Sequence, residues 1–123
     1  MIKILMIDDD ADFSALAAAH FSRLGYAVTL ATDGKDGLAK ARALKPDLVF
    51  LDIMMPEMNG IEVLRELKAA DETAEVPVLV MSGKYMDGGM TDLFAQEGNF
   101  KGFFAKPVVL GQLQQKVEEL TKR

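Results

Sequence analysis

The chain has 123 residues, 50% of them hydrophobic, no cysteine, and a formal charge of −5 from 19 acidic and 14 basic side chains. That length and apolar share suit a single domain with one buried core, and the missing thiols exclude disulfide scaffolds, cysteine nucleophiles and thiolate-held zinc or iron–sulfur centres. The acidic balance argues against direct DNA, RNA or anionic-lipid binding, which needs a basic footprint.

No apolar run reaches the roughly 18 residues of a membrane span. Met1-Ile2-Lys3 leads straight into a strand-like segment without the pattern of a signal peptide, so a cytoplasmic location is expected. Residues 2–7 (IKILMI) are nearly all apolar, which suits a strand buried on both faces of a parallel sheet. Phe13, Leu16, Ala17, Phe21 and Leu24 then fall on one helical stripe, and Gly25 follows where a C-terminal cap belongs. The rhythm repeats with a strand over 26–30 and a helix over 34–44 stopped by Pro46. A third strand covers 47–51 (DLVFL), a loop follows at 54–59, and Ile61, Leu64 and Leu67 mark the next helix.

A strand over 76–81 carries Pro77 at its start, where proline is tolerated. A weaker helix is expected over 90–96 and a fifth strand over 102–105. Leu110, Leu113, Val117 and Leu120 give the last helix, at i, i+3, i+7 and i+10. Five strand–helix units predict one doubly wound α/β domain over residues 1–123, a parallel sheet with helices on both faces.

In such sheets ligands bind beyond the carboxyl ends of the strands. The first strand runs into Asp8-Asp9-Asp10, the third into Asp52, the fourth into Ser82 and the fifth into Lys106. Taken singly these are ordinary: Asp10 reads as a helix N-cap, and Asp52 as a turn residue ahead of Pro56 and Gly60. Their joint placement on one rim carries the signal. Two carboxylates about 4 Å apart repel by roughly 4 kcal/mol at an effective dielectric near 20, so Asp8, Asp9 and Asp52 call for a proton or a cation. Oxygen donors without His or Cys favour Mg²⁺, or Mn²⁺, over zinc. A divalent ion, a lysine and a hydroxyl are the groups that stabilise a phosphoryl group in transfer, with a carboxylate as nucleophile.

The segments ILMIDDD, LVFLDIMMPEMNG, VLVMSGK and FFAKP, in this order along the whole chain, resemble the receiver domain of bacterial two-component response regulators, including the single-domain chemotaxis type. The resemblance implies a flavodoxin-like five-stranded sheet in the order 2-1-3-4-5. It implies Asp52 as phosphoacceptor from a histidine kinase or histidine phosphotransfer protein. Asp9, Asp52 and the Met54 backbone carbonyl would ligate Mg²⁺, with Asp8 holding a metal-bound water. Lys106 would pair with Asp52 and then with a phosphoryl oxygen, and Ser82 would hydrogen-bond another. Movement at Ser82 would couple to a rotamer change at Phe103 and alter a docking surface on the last two strand–helix units. The Lys106–Pro107 bond is expected to be cis. Such a chain is a self-phosphorylating and self-dephosphorylating switch rather than a turnover enzyme, either a monomer or a phosphorylation-dependent dimer.

Departures from the family pattern gather in the switch region. Ser82 stands where Thr is common, and Phe103 where Tyr is frequent, which removes a phenolic hydrogen bond. Residues 85–89 (YMDGG) put two glycines at a helix start, and residues 98–106 look one residue long. Met54 cannot hydrogen-bond an attacking water, and Lys84 adds positive charge, so the phosphorylated state is expected to last many minutes.

A haloacid-dehalogenase-type phosphatase with its nucleophile at Asp8 is the catalytic alternative, suggested by Asp8-x-Asp10. It generally needs a longer chain and a further acidic pair downstream. An FMN-binding flavodoxin needs a phosphate cradle where this loop is acidic. His20, the only histidine, reads as a partly buried structural residue, and the eight methionines as adaptable packing. The length leaves no room for an output domain. Signalling by docking is therefore expected, as a stand-alone receiver or as one cut from a longer regulator or hybrid kinase.

Overall fold

The structure, a computed structural model, describes residues 1–53, 60–82 and 96–121. Its elements are β1 (Lys3–Ile7), α1 (Ala11–Arg23), β2 (Ala27–Ala31), α2 (Gly34–Leu44), β3 (Leu48–Asp52), α3 (Gly60–Ala69), β4 (Val78–Ser82), β5 (Phe100–Ala105) and α4 (Leu110–Thr121). The five strands form one sheet in the order β2-β1-β3-β4-β5, and every pairing is parallel. This is the doubly wound architecture read from the alternation of periods.

The single core expected from composition is divided by the sheet into two layers. Side chains alternate faces along a strand, so Leu5, Ile7, Val49, Leu51, Val78 and Val80 join residues of α2 and α3, including Leu38, Val63 and Leu67. Their neighbours Ile4, Met6, Leu48, Phe50, Leu79 and Met81 face Ala17 and Phe21 of α1 and Leu113 and Val117 of α4. Burial on both faces is why β1, β3 and β4 read as near-continuous apolar runs. His20 lies partly buried between these helices: its Nε2 is 2.9 Å from Gln114 Oε1, and its ring meets Phe21 edge-on. That is the structural role expected of it.

The starts of α1 and α2 are fixed by side-chain caps. Asp10 Oδ1 accepts from the Phe13 amide at 3.1 Å, and Asp33 Oδ1 from the Asp36 amide at 2.8 Å. Past α1, Gly25 takes a left-handed φ of 96°. The stop of α2 falls on Lys45, a left-handed residue (φ 49°) whose amide donates to the Ala41 carbonyl at 2.9 Å. Pro46 acts through it, because a residue before proline is disfavoured in the right-handed helical region.

Strands β1 to β4 begin one or two residues later than the sequence suggests, so Pro77 precedes β4. Strand β5 begins two residues earlier, at Phe100. Its pairing with β4 jumps from Val78–Phe100 to Leu79–Gly102, leaving Lys101 as the extra residue of a bulge. The bulge lies in the segment that looked one residue long. It lets Phe100 and Phe103, three positions apart, face the same core layer. The turn before β5 is pinned to α3 by Arg65 Nε to Glu97 at 2.9 Å and by Asn99 Nδ2 to the Leu64 carbonyl at 3.1 Å.

The loop expected at 54–59, the glycines of 85–89 and the helix expected over 90–96, save Gln96 in the turn before β5, lie outside the described residues. Among the described residues no helix is long and apolar enough to cross a membrane.

Candidate functional site

The ladder between β1 and β2 runs one bond past the strand ends, from the Asp8 amide to the Ala31 carbonyl at 3.0 Å. Asp8 is therefore still held at the sheet and is only 1% exposed. Its Oδ1 accepts from the Asp10 amide at 2.9 Å, and Asp10 in turn caps α1. These two bonds fold residues 8–13 into one compact turn, with Asp9 exposed at its crest. Asp52 ends β3 opposite Met81 and is 5% exposed. Ser82 ends β4, 1% exposed, and its carbonyl accepts from the Lys106 amide at 2.7 Å. Four strand ends thus deliver Asp8, Asp9, Asp52, Ser82 and Lys106 to one rim, as the parallel topology requires.

Lys106 reaches across the ends of β4 and β3. Its Nζ lies 2.7 Å from Asp8 Oδ2 and 3.5 Å from Asp52 Oδ2, so the shorter bond goes to Asp8 and the longer to the expected partner. The same Nζ stands over the Phe13 ring, 4.9 Å from its centroid. Neither the Asp8 bond nor the Phe13 contact was anticipated. Phe13 read as the first apolar residue of the α1 stripe, and its place one turn beyond the acidic run was the available signal. The Lys106–Pro107 bond is cis.

Burial raises the Asp8 pKa to about 6, helped by the Asp52 charge and opposed by the Lys106 and Asp10 hydrogen bonds. For Lys106, burial pulls the pKa down, but the bond to Asp8 and the charges of Asp8, Asp52 and Asp10 outweigh it, and the net shift is upward. The lysine is an ammonium at neutral pH. One carboxylate oxygen from each of Asp8, Asp9 and Asp52 lies within 4.8 Å of the other two. Three carboxylates against one ammonium leave about two negative charges when all are ionised, and the donors are all hard oxygens. This set fits Mg²⁺ or Mn²⁺ in charge and chemistry.

Phe103 lies on β5 opposite Val80, partly buried against the layer of α2 and α3 and three residues ahead of Lys106. Met54 and Lys84, expected as a metal ligand and as rate-tuning neighbours, lie outside the described residues.

Residues 4–118 match the family described as response regulator receiver domain. The chain is 33% identical over 125 residues to the DNA-binding dual master transcriptional regulator RpaA of Synechocystis sp., a match covering 100% of this chain and 50% of that protein. It is 33% identical over 108 residues to protein PilH of Pseudomonas aeruginosa, covering 88% of each. The chain thus spans about half the length of the first curated relatives it matches, and most of the length of PilH. Among solved structures, the chemotaxis protein CheY4 of Vibrio cholerae superposes with a TM-score of 0.90 at 24% identity, covering 98% of both chains, a likeness of fold. The receiver domain of the Francisella response regulator 1452 superposes with a TM-score of 0.86 at 26% identity, covering 100% of this chain and 98% of that one.

Proposed function

The chain belongs to the response regulator receiver domain family, and we propose that within it Asp52 is the phosphoacceptor for a histidine kinase or histidine phosphotransfer protein. The observation that carries this reading is the ion pairing at the rim. Asp52 lies 3.5 Å from Lys106, and it shares with Asp8 and Asp9 a set of carboxylate oxygens within 4.8 Å of one another, while Asp8 has one oxygen on the Asp10 amide and the other on Lys106 at 2.7 Å. With both of its oxygens engaged, Asp8 is poorly placed to attack, which disfavours the phosphatase alternative that would make it the nucleophile.

In the proposed transfer an Asp52 oxygen attacks phosphorus and the phosphorus–nitrogen bond to the donor histidine breaks. The bonding pair returns to the imidazole. Lys106 neutralises charge on a phosphoryl oxygen, and the Ser82 hydroxyl donates to another. Asp9 and Asp52, with the Met54 carbonyl, would hold Mg²⁺ directly and Asp8 through a water. The ion, when bound, supplies the positive charge that lets an anionic phosphoryl group approach an anionic carboxylate. Asp8 also keeps Lys106 at the site until the phosphoryl group arrives. Phe103 then responds to the shift at Ser82 and changes the surface of the last two strand–helix units, where a protein target docks.

We assign residues 1–123 to this one receiver domain, acting as a cytoplasmic switch through protein partners and not by touching DNA itself. The reading is tested by intact mass. Acetyl phosphate with Mg²⁺ adds one phosphoryl group, about 80 Da, and a chelator stops the reaction. Asp52→Asn takes no label, while Asp8→Asn is labelled more slowly. Label retained by Asp52→Asn and lost from Asp8→Asn would instead establish the phosphatase chemistry. After the donor is removed, the added mass persists for many minutes, as Met54 and Lys84 predict.

A further inference from the structure

A lysine ammonium is a compact charge on a flexible four-carbon stem, and one strong bond does not hold it. Lys106 has a strong bond to Asp8 at 2.7 Å and a longer contact with Asp52 at 3.5 Å, and its side chain is still 16% exposed. The Phe13 ring lies beside the ammonium, with Nζ over its face at 4.9 Å. The face of an aromatic ring is electronegative and attracts a cation.

The ring is itself well placed. The Phe13 amide donates to Asp10 Oδ1 and the Asp10 amide to Asp8 Oδ1. One turn therefore carries both the carboxylate that binds Lys106 and the ring that backs it. The ring also packs against the core layer of α1 and α4. We propose that Phe13 is a positioning residue for Lys106, confining its ammonium to the acidic rim and so setting the rate at which Asp52 accepts a phosphoryl group. The inference rests on the phosphoacceptor reading of Asp52 and deepens it. A ring face has no lone-pair direction, so the ammonium turns from Asp8 toward a phosphoryl oxygen without leaving the ring. A hydrogen-bond acceptor in the same place would have to be broken from first.

The test uses the full chain and a small donor, acetyl phosphate, at saturating donor and Mg²⁺, which bypasses any contact a protein partner makes with the ring. Phe13→Leu keeps an apolar side chain in the packing but offers no face, and labelling slows by about three- to tenfold. Phe13→Tyr and Phe13→Trp, which restore a face, recover most of the rate. In a Lys106→Met background Phe13→Leu changes the rate no further, as coupling through the ammonium demands. Circular dichroism confirms that each variant is folded. Three results overturn the proposal: Phe13→Leu labelling at the unsubstituted rate, both aromatic variants as slow as Leu, or an undiminished Leu effect without Lys106. None of these touches the Asp52 reading. That reading falls, and the proposal with it, if the unsubstituted chain takes no label or Asp52→Asn takes it.

Discussion

Asp8 has both oxygens engaged, one by the Asp10 amide and one by Lys106, yet burial still lifts its pKa from 3.8 to about 6. The sign of the consequence for stability follows from linkage. Below pH 4 folded and unfolded chains both hold the proton. Between about pH 4 and 6 the unfolded chain ionises while the folded one does not, so stability falls as pH rises and the loss is complete above 6. Its upper limit is about 3 kcal/mol. Without Mg²⁺, Asp8→Asn is therefore expected to raise the urea midpoint at pH 7.5 and to raise it much less at pH 4.5. Equal gains at the two pH values would contradict this account. At this scale the rim was legible wherever a polar residue ends a strand, because parallel strands point their carboxyl ends one way. The Asp8–Lys106 bond was not, since it spans 98 positions and depends on which of two nearby carboxylates a long side chain selects.

Gly60 and Gly111 are both helical glycines, and the structure gives them opposite prospects. A Cβ at Gly60 would lie 2.5 Å from Ile53 Cγ2 and 2.7 Å from the Ile53 Cα, so the first turn of α3 rests on the chain leaving β3, next to Asp52. Gly60→Ala is expected to cost about 1–3 kcal/mol by overpacking. A Cβ at Gly111 meets nothing within 4 Å, and Gly111→Ala is expected to add up to about 1 kcal/mol from helix propensity. Denaturation midpoints moving in opposite directions check the pair. The helices were the most legible elements, α2 falling on residues 34–44 as its pattern predicts. Strand starts were less so. Period-two patterning cannot show where hydrogen bonding begins, and Lys101 breaks the alternation that would have carried β5 back to Phe100.

Across the whole molecule, the strand order brings acids of β1 and β3 together at the centre and draws a lysine over them from the border strand. The alternation of strands and helices made the layered architecture legible. The order 2-1-3-4-5 came from the family resemblance, because periodicity says nothing about which strands are neighbours. The division of the core has a counterpart in the site: the Lys106 ammonium rests on Phe13, at the edge of the α1–α4 layer, while Phe103 belongs to the layer of α2 and α3.

The bulge at Lys101 bears on how copies of the molecule behave toward one another. With three phenylalanines among its six residues, β5 closes the sheet on one side, and a straight apolar border of that kind is a template for a stranger's strand. The extra residue breaks the regular spacing of backbone amides and carbonyls along the border, and its exposed side chain charges it. Deleting Lys101 would keep Phe100 and Phe103 on their present face while straightening the border. Light scattering that rises more steeply with concentration than for the unsubstituted chain is the expected result, and unchanged scattering would remove the bulge from the defences of this chain against accretion.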